Sequence, residues 1–197
     1  VAWSEAALNT NDFDVARRQA EQAVLNGDRE TKERGQIVLA TLTSIIDGSA
    51  AAYPEFERLS REALEPNAVR AELKRLELGV AAGRMTANDA AGELESLRFR
   101  WRGDGVEMAT VGILSDQYMR VGRFREALLL AQSTALRDAS APGSRELRIK
   151  LSDYFRRLFL TGEADRLDPI QALALFYEFG NDLTPIGRRL LDQLRAA

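Results

Sequence analysis

Apolar residues recur at helical spacing along almost the whole 197-residue chain, and this pattern constrains its fold more than any other feature. A clear case is a stripe at i, i+4, i+7, i+8 and i+11, formed by Leu147, Leu151, Tyr154, Phe155 and Leu158. No segment shows the strict apolar–polar alternation of a half-buried strand. The sequence therefore predicts an all-α fold.

Gly, Pro, Asn and Asp clusters break this pattern into pairs of helices. The predicted pairs are 2–9 with 12–25, 30–47 with 50–64, 68–82 with 87–101, 105–121 with 123–138, and 145–160 with 169–179. A last helix is predicted over 185–197. Pro54 is expected in the first turn of a helix that begins at or after Tyr53.

Side chains suited to capping precede several of the predicted helices. Asn11 or Asp12 is expected to cap the second helix. Thr86 followed by Asp89 resembles a capping box. Asp168 is expected to cap the helix that follows, with Pro169 at its first position. These signals fix where the helices begin.

The composition is that of a folded domain, with 45% hydrophobic and 29% charged residues. A net charge of -3 is too small to attract nucleic acid, so no nucleic-acid partner is predicted. The apolar runs, such as 127–131, are too short to span a membrane. We predict one domain over 1–197, with a possible sub-boundary near 139–144, where the linker-like stretch 140–143 lies.

The chain contains neither His nor Cys. Their absence removes the commonest general base, the commonest zinc ligand and the usual nucleophile systems, so we predict no enzyme activity, metal or cofactor. Carboxylate pairs are the main chemistry left. Glu93 with Glu95, and Asp165 with Asp168, are near neighbours, but we expect them to be solvated or capping groups.

Arginines alternate with aromatic residues over 97–102, a combination that can stack on bases or form a protein hot spot. Residues two apart on a helix point in different directions, so Phe99 and Trp101 do not make one platform. We favour the alternative in which Leu94, Leu97 and Trp101 lie in the core.

Two segments resemble the tetratricopeptide (TPR) repeat. Segment 111–134 carries its spacing in Leu114, Tyr118, Gly122, Phe124, Ala127 and Ala131. Segment 3–23 resembles the same motif, with Phe13 and Ala16 in the places of Phe124 and Ala127. The resemblance implies a TPR-like α-solenoid of about five helical hairpins plus a C-terminal helix, which acts as a non-catalytic scaffold for protein–protein interaction.

Segments 100–108 and 167–189 also resemble parts of large alphaproteobacterial TPR proteins that are exported to the cell envelope. This resemblance implies a bacterial protein, with the periplasm or cell envelope favoured over the cytoplasm. It further implies that the chain is an internal piece of a longer protein.

TPR stacks bind peptides or partner helices along a concave face lined by the first helix of each hairpin. Carrying the motif onto this chain implies a binding set made of Glu5, Leu8, Asn9, Asp116, Met119 and Arg120. The alternative for each residue is an ordinary solvated helix surface. The set lacks the Lys/Asn/Arg constellation with which co-chaperones grip a C-terminal carboxylate.

Two other functions stay open from the sequence. One is a carbohydrate- or small-ligand-binding domain, or a carboxylate-based enzyme, of the cell envelope. The other is self-association through uncapped ends, where Trp3 and the apolar residues Leu190, Leu191 and Leu194 need neighbours. A deep pocket with mutually close buried acids would favour the first.

Overall fold

A computed structural model describes residues 2–101, 105–137, 139–140 and 143–183. In these residues all regular structure is helical, so the all-α prediction is confirmed. The α-helices are α1 Ala2–Asn9, α2 Phe13–Asn26, α3 Arg29–Ile46, α4 Ser49–Glu62, α5 Asn67–Ala81, α6 Ala87–Arg100, α7 Gly105–Arg120, α8 Phe124–Arg137, α9 Ser144–Leu160 and α10 Pro169–Leu183. A short 3-10 helix, Glu163–Arg166, precedes α10. The predicted helix over 185–197 lies outside the described residues.

Helices that follow one another along the chain pack together, as α1 to α5 do in turn and α7 to α10 do in turn. Helices two apart also touch: α1 contacts α3, α3 contacts α5, and α7 contacts α9. Both kinds of contact are consistent with a helical repeat, in which each hairpin rests on its neighbour.

The chain divides into two compact units, Val1–Glu93 and Leu94–Ala197. The division falls inside α6 and does not coincide with the possible sub-boundary near 139–144. The two units are described separately below. Within the described part of the chain, no helix is long and apolar enough to cross a membrane.

The predicted caps are confirmed. Asp12 accepts a hydrogen bond from the Val15 backbone N–H at 3.2 Å and begins α2. The Asp89 N–H donates to Thr86 Oγ1 at 3.1 Å, while the Thr86 N–H donates to the Asp89 carboxylate at 3.2 Å. Asp168 accepts from the N–H of Ile170 at 2.9 Å. Each cap satisfies a backbone donor that the first turn leaves unpaired.

The prediction for Pro54 was wrong. The helix begins at Ser49, directly after Gly48 turns the chain with a φ of 93°, so Pro54 lies inside α4. Proline removes the hydrogen bond to the carbonyl four residues earlier, here that of Ala50. Pro54 and Ala50 are both exposed, so water can reach that carbonyl. This explains how α4 continues through the proline.

Small residues bring the helices of the first unit close together. One cluster of the core joins α1, α2 and α3 through Ala7, Ala16, Ala20, Val38 and Leu42. A second joins α3, α4 and α5 through Ala40, Ala52, Phe56, Leu59 and Ala71. At Gly35 an added Cβ would lie only 2.9 Å from the Ala20 carbonyl oxygen, so glycine is needed where α3 crosses α2.

A nearly buried carboxylate ties α3 to the connection between α4 and α5. Glu33 is 7% exposed. It accepts hydrogen bonds from the backbone N–H of Leu64 at 2.9 Å and from the side-chain amide of Asn67 at 3.3 Å. Arg29 pairs with the same carboxylate at 3.0 Å. The burial of this charge is therefore compensated by three donors.

The core of the second unit includes the predicted stripe of α9, whose five residues are all buried, as are Leu94 and Leu97 of α6. Aromatic contacts extend it to α10. The ring of Phe176 lies 5.6 Å from that of Phe155 and 5.1 Å from that of Phe159. The stripe prediction is thus confirmed, and it leaves the opposite side of α9 facing outward.

A candidate partner-binding groove on helices 7 and 9

The site begins with α7, which is buried around most of its circumference. Its exposed strip is narrow and includes Ala109 and Arg120, with the partly exposed Asp116 between them. Gly112 lies one turn before Asp116, and a Cβ there would be 3.6 Å from the aliphatic carbons of Lys150. That distance is an ordinary van der Waals contact, so the Lys150 side chain of α9 packs over this turn of α7.

Asp116 joins the two helices. Its carboxylate accepts hydrogen bonds from the Lys150 ammonium group and from the Tyr154 hydroxyl, the latter at 2.5 Å. The same hydroxyl lies 3.4 Å from the carbonyl oxygen of Gly112. Burial and, after it, the charge of Asp116 raise the pKa of Tyr154. The hydroxyl therefore stays protonated and acts as a donor.

A groove of about 430 Å³ opens beside this contact. It is lined by Asp116, Ile149, Lys150, Ser152, Asp153, Tyr154, Phe155, Arg156, Arg157 and Leu160. Two of its apolar side chains face solvent, since Ile149 is 59% and Leu160 is 49% exposed. Apolar surface that the fold leaves uncovered is a feature of interaction sites.

The charged side chains of the groove are held in ion pairs. Arg156 contacts Asp153 at 2.5 Å. Arg157 contacts Glu163 of the 3-10 helix at 2.9 Å. Together with the Asp116–Lys150 pair, these contacts order the charged groups before any partner arrives, which lowers the entropy lost on binding.

The three predicted binding residues of α7 differ in their exposure and in their distance from the groove. Asp116 lines the groove and Arg120 is exposed on the last turn of α7. Met119 is only 3% exposed, because apolar contacts surround almost all of α7. Its side chain offers a partner too little surface, and we remove it from the candidate set.

The three predicted residues of α1 belong to the first unit. Glu5 forms a two-pronged ion pair with Arg34 of α3, at 2.8 and 2.9 Å. Leu8 packs against the core cluster and Asn9 is exposed. Glu5 and Leu8 thus contribute to the packing of α1 on its neighbours, and their role in binding stays a prediction.

The acids that were candidates for carboxylate chemistry make separate contacts. Glu93 pairs with Arg75, and Glu95 accepts a hydrogen bond from Tyr118. Both carboxylates also face solvent, with side chains that are 47% and 42% exposed, as expected. Burial, followed by the bond to Glu95, raises the pKa of Tyr118 to about 12. The described residues contain no group of three or more acids placed to hold a metal ion.

A second, smaller groove of about 300 Å³ lies between α8 and α10. Phe124, Leu167 and Leu175 form apolar parts of its lining. The Arg125–Glu178 ion pair joins the two helices at 2.8 Å. This pair occupies two of the polar side chains of the groove, which is smaller than the groove on α7 and α9.

Sequence reasoning missed the α9 side of the main groove. It placed Tyr154 in the core stripe, which is correct, but did not consider its hydroxyl. Ile149 and Leu160 are apolar residues that lie off that stripe, and this irregularity in an amphipathic helix was the available signal.

No protein-family model, curated protein or solved structure matches the chain.

Proposed function

We propose that the chain is a non-catalytic scaffold for protein–protein interaction, which binds a peptide or partner protein in the groove on α7 and α9. The observation that carries the proposal is the exposure of Ile149 and Leu160 in a groove whose charged groups are already paired. Apolar contacts surrounded by ordered polar groups are typical of protein interfaces.

The dimensions suit a short peptide segment. Ile149 and Leu160 are eleven residues apart on α9, which corresponds to roughly 16 Å at 1.5 Å per residue. An extended chain covers that distance with about five residues. A segment of this length can contact both apolar side chains along the axis of α9.

The resemblance to TPR repeats supports the same surface. In the TPR pattern, α7 and α9 are the first helices of consecutive hairpins, and these helices line the peptide-binding face. The motif selects Asp116, Met119 and Arg120 on α7, and of these Asp116 lines the groove. The resemblance and the groove thus agree on one residue of α7.

The groove suits docking better than acid–base chemistry. Its two carboxylates, Asp116 and Asp153, each contact a basic side chain. Acid–base chemistry on a bound substrate needs two acids that face each other across a substrate-sized gap. Here Asp116 is bound to Lys150 and Tyr154. Asp153 is bound to Arg156.

Selection from a random peptide library displayed on phage tests the proposal. Selected peptides should bind the unchanged protein but lose affinity by about tenfold for Ile149→Asp, which puts a charge in the contact surface. Ile45→Asp is the matched control, because Ile45 is similarly exposed, at 52%, on α3 of the first unit. Peptides that bind both variants equally would contradict the proposal, as would a selection that yields none.

A further inference from the structure

The outer side of α9 is basic although the chain as a whole is acidic. Helix α9 carries five basic and two acidic side chains, whereas the net charge of the chain is -3. The basic residues are Arg145, Arg148, Lys150, Arg156 and Arg157. Helix α9, which lines most of the groove, therefore differs in the sign of its charge from the chain as a whole.

Basic and apolar side chains alternate along one face of the helix. Arg145, Ile149, Arg156 and Leu160 are spaced at i, i+4, i+11 and i+15, so they form one outward stripe. All four are exposed. Arg145 and Arg156 are roughly 16 Å apart along the axis, the same separation as the two apolar residues.

Part of this positive charge is not neutralised within the described residues. Arg145 and Arg148 form no ion pair with any residue that the structure describes. The side chain of Arg156 is 64% exposed beside Asp153. Guanidinium groups bind carboxylates through two parallel hydrogen bonds, so these arginines suit a partner rich in Asp or Glu.

A nucleic acid fits the same stripe less well. Ile149 lies between Arg145 and Arg156, and Leu160 follows Arg156. Neither apolar side chain can stack on a base as an aromatic ring does. Glu146 and Asp153 share α9 with the arginines and would repel a continuous phosphate backbone. An acidic peptide can place its carboxylates at intervals and avoid both acids.

We infer that the groove on α7 and α9 takes an acidic peptide with apolar side chains between its carboxylates. This inference rests on the proposed function and adds the chemistry of the partner. Apolar side chains of the peptide contact Ile149 and Leu160, and its carboxylates contact Arg156 in the groove and Arg145, which lies one turn before Ile149 and outside the groove lining. Electrostatic complementarity of this kind sets specificity and speeds association.

Fluorescence anisotropy with three labelled peptides tests the inference. The acidic probe repeats the unit Leu-Glu-Ser, and its neutral and basic counterparts carry Gln or Lys in place of Glu. The acidic probe should bind most tightly, and added salt should weaken it. Arg145→Glu should reduce its affinity by about fivefold or more at low salt.

Arg17→Glu is the matched control, since Arg17 is exposed on α2 of the first unit and the change in net charge is the same. It should leave the affinity unchanged. The inference is overturned if the acidic probe does not bind, binds no better than the neutral one, or weakens equally in both variants. The phage-selected peptides then decide the proposed function. If selected peptides of other composition bind Ile149→Asp more weakly than the unchanged protein, the proposed function stands without the inference. If they bind both equally, the proposed function fails as well.

Discussion

The hydroxyl of Tyr154 is the best place to test how α7 and α9 are held together. Tyr154→Phe removes the donor to Asp116 but keeps a ring that is only 2% exposed. Hydrogen bonds to charged groups contribute about 1.5–3 kcal/mol. The Asp116 side chain is 32% exposed and keeps its contact with Lys150. We therefore expect the lower end, a loss of about 1.5 kcal/mol in the free energy of unfolding, measured by urea denaturation.

A double-mutant cycle with Asp116→Ala, which removes the acceptor, separates this bond from other effects of each change. The coupling energy should be about 1 kcal/mol, because the two groups touch directly. Lys150 is kept in all four proteins of the cycle. The Asp116–Lys150 ion pair is then the same in the unchanged protein and in Tyr154→Phe, the two forms that carry Asp116.

The same contact predicts a dependence on alkaline pH. The pKa of Tyr154 in the folded protein is raised above its ordinary value of 10.0, first by burial and then by Asp116. Its contribution to stability is therefore complete below pH 10.0 and decreases as the pH rises above that value. Tyr154→Phe should make this alkaline decrease shallower. A coupling energy within about 0.3 kcal/mol of zero, or an unchanged alkaline slope, would refute the reasoning.

Three further predictions concern the first unit. Gly35→Ala should lower the free energy of unfolding by about 1–3 kcal/mol through its clash with α2, whereas Gly92→Ala, which meets no atom within 4 Å, should raise it by about 0.5–1 kcal/mol. Thr86 lowers the pKa of Asp89, chiefly by its side-chain hydrogen bond. The contribution of this bond to stability is therefore complete above pH 3.8 and is lost as the pH falls below that value. The melting temperature of Asp89→Asn should accordingly decrease less steeply at acidic pH than that of the unchanged protein. Glu33→Ala removes the acceptor shared by the part-buried Leu64 N–H and the Asn67 amide and should cost about 1–3 kcal/mol in urea denaturation. Equal effects of the two glycine changes, an unchanged acid slope, or a Glu33 effect below about 1 kcal/mol would contradict these predictions.

The helices and their ends could be predicted from the sequence because their signals are local. A capping residue such as Asp12 acts within three positions of itself, and helical periodicity is visible over a few turns. Pro54 was misjudged because proline is expected to end or begin a helix, since it removes one backbone hydrogen bond. Whether α4 continues through Pro54 depends instead on the exposure of the carbonyl that loses its donor.

The contacts that build the site could not be predicted in the same way. The bond from Leu64 to Glu33 spans 31 positions, and the bond from Tyr154 to Asp116 spans 38. Such pairings depend on how the helices pack. Met119 shows the limit of the resemblance, which placed it on an accessible face of a helix that is buried on nearly every side.

Methyl NMR of Ile149 tests whether the groove on α7 and α9 binds a peptide, with a peptide selected on the unchanged protein as the ligand. The Ile149 methyl resonances should shift and saturate during the titration, while those of the similarly exposed Ile45 and Ile46 on α3 stay in place. Shifts confined to Ile45 and Ile46, or saturable binding that leaves Ile149 unmoved, would contradict a docking groove on α7 and α9.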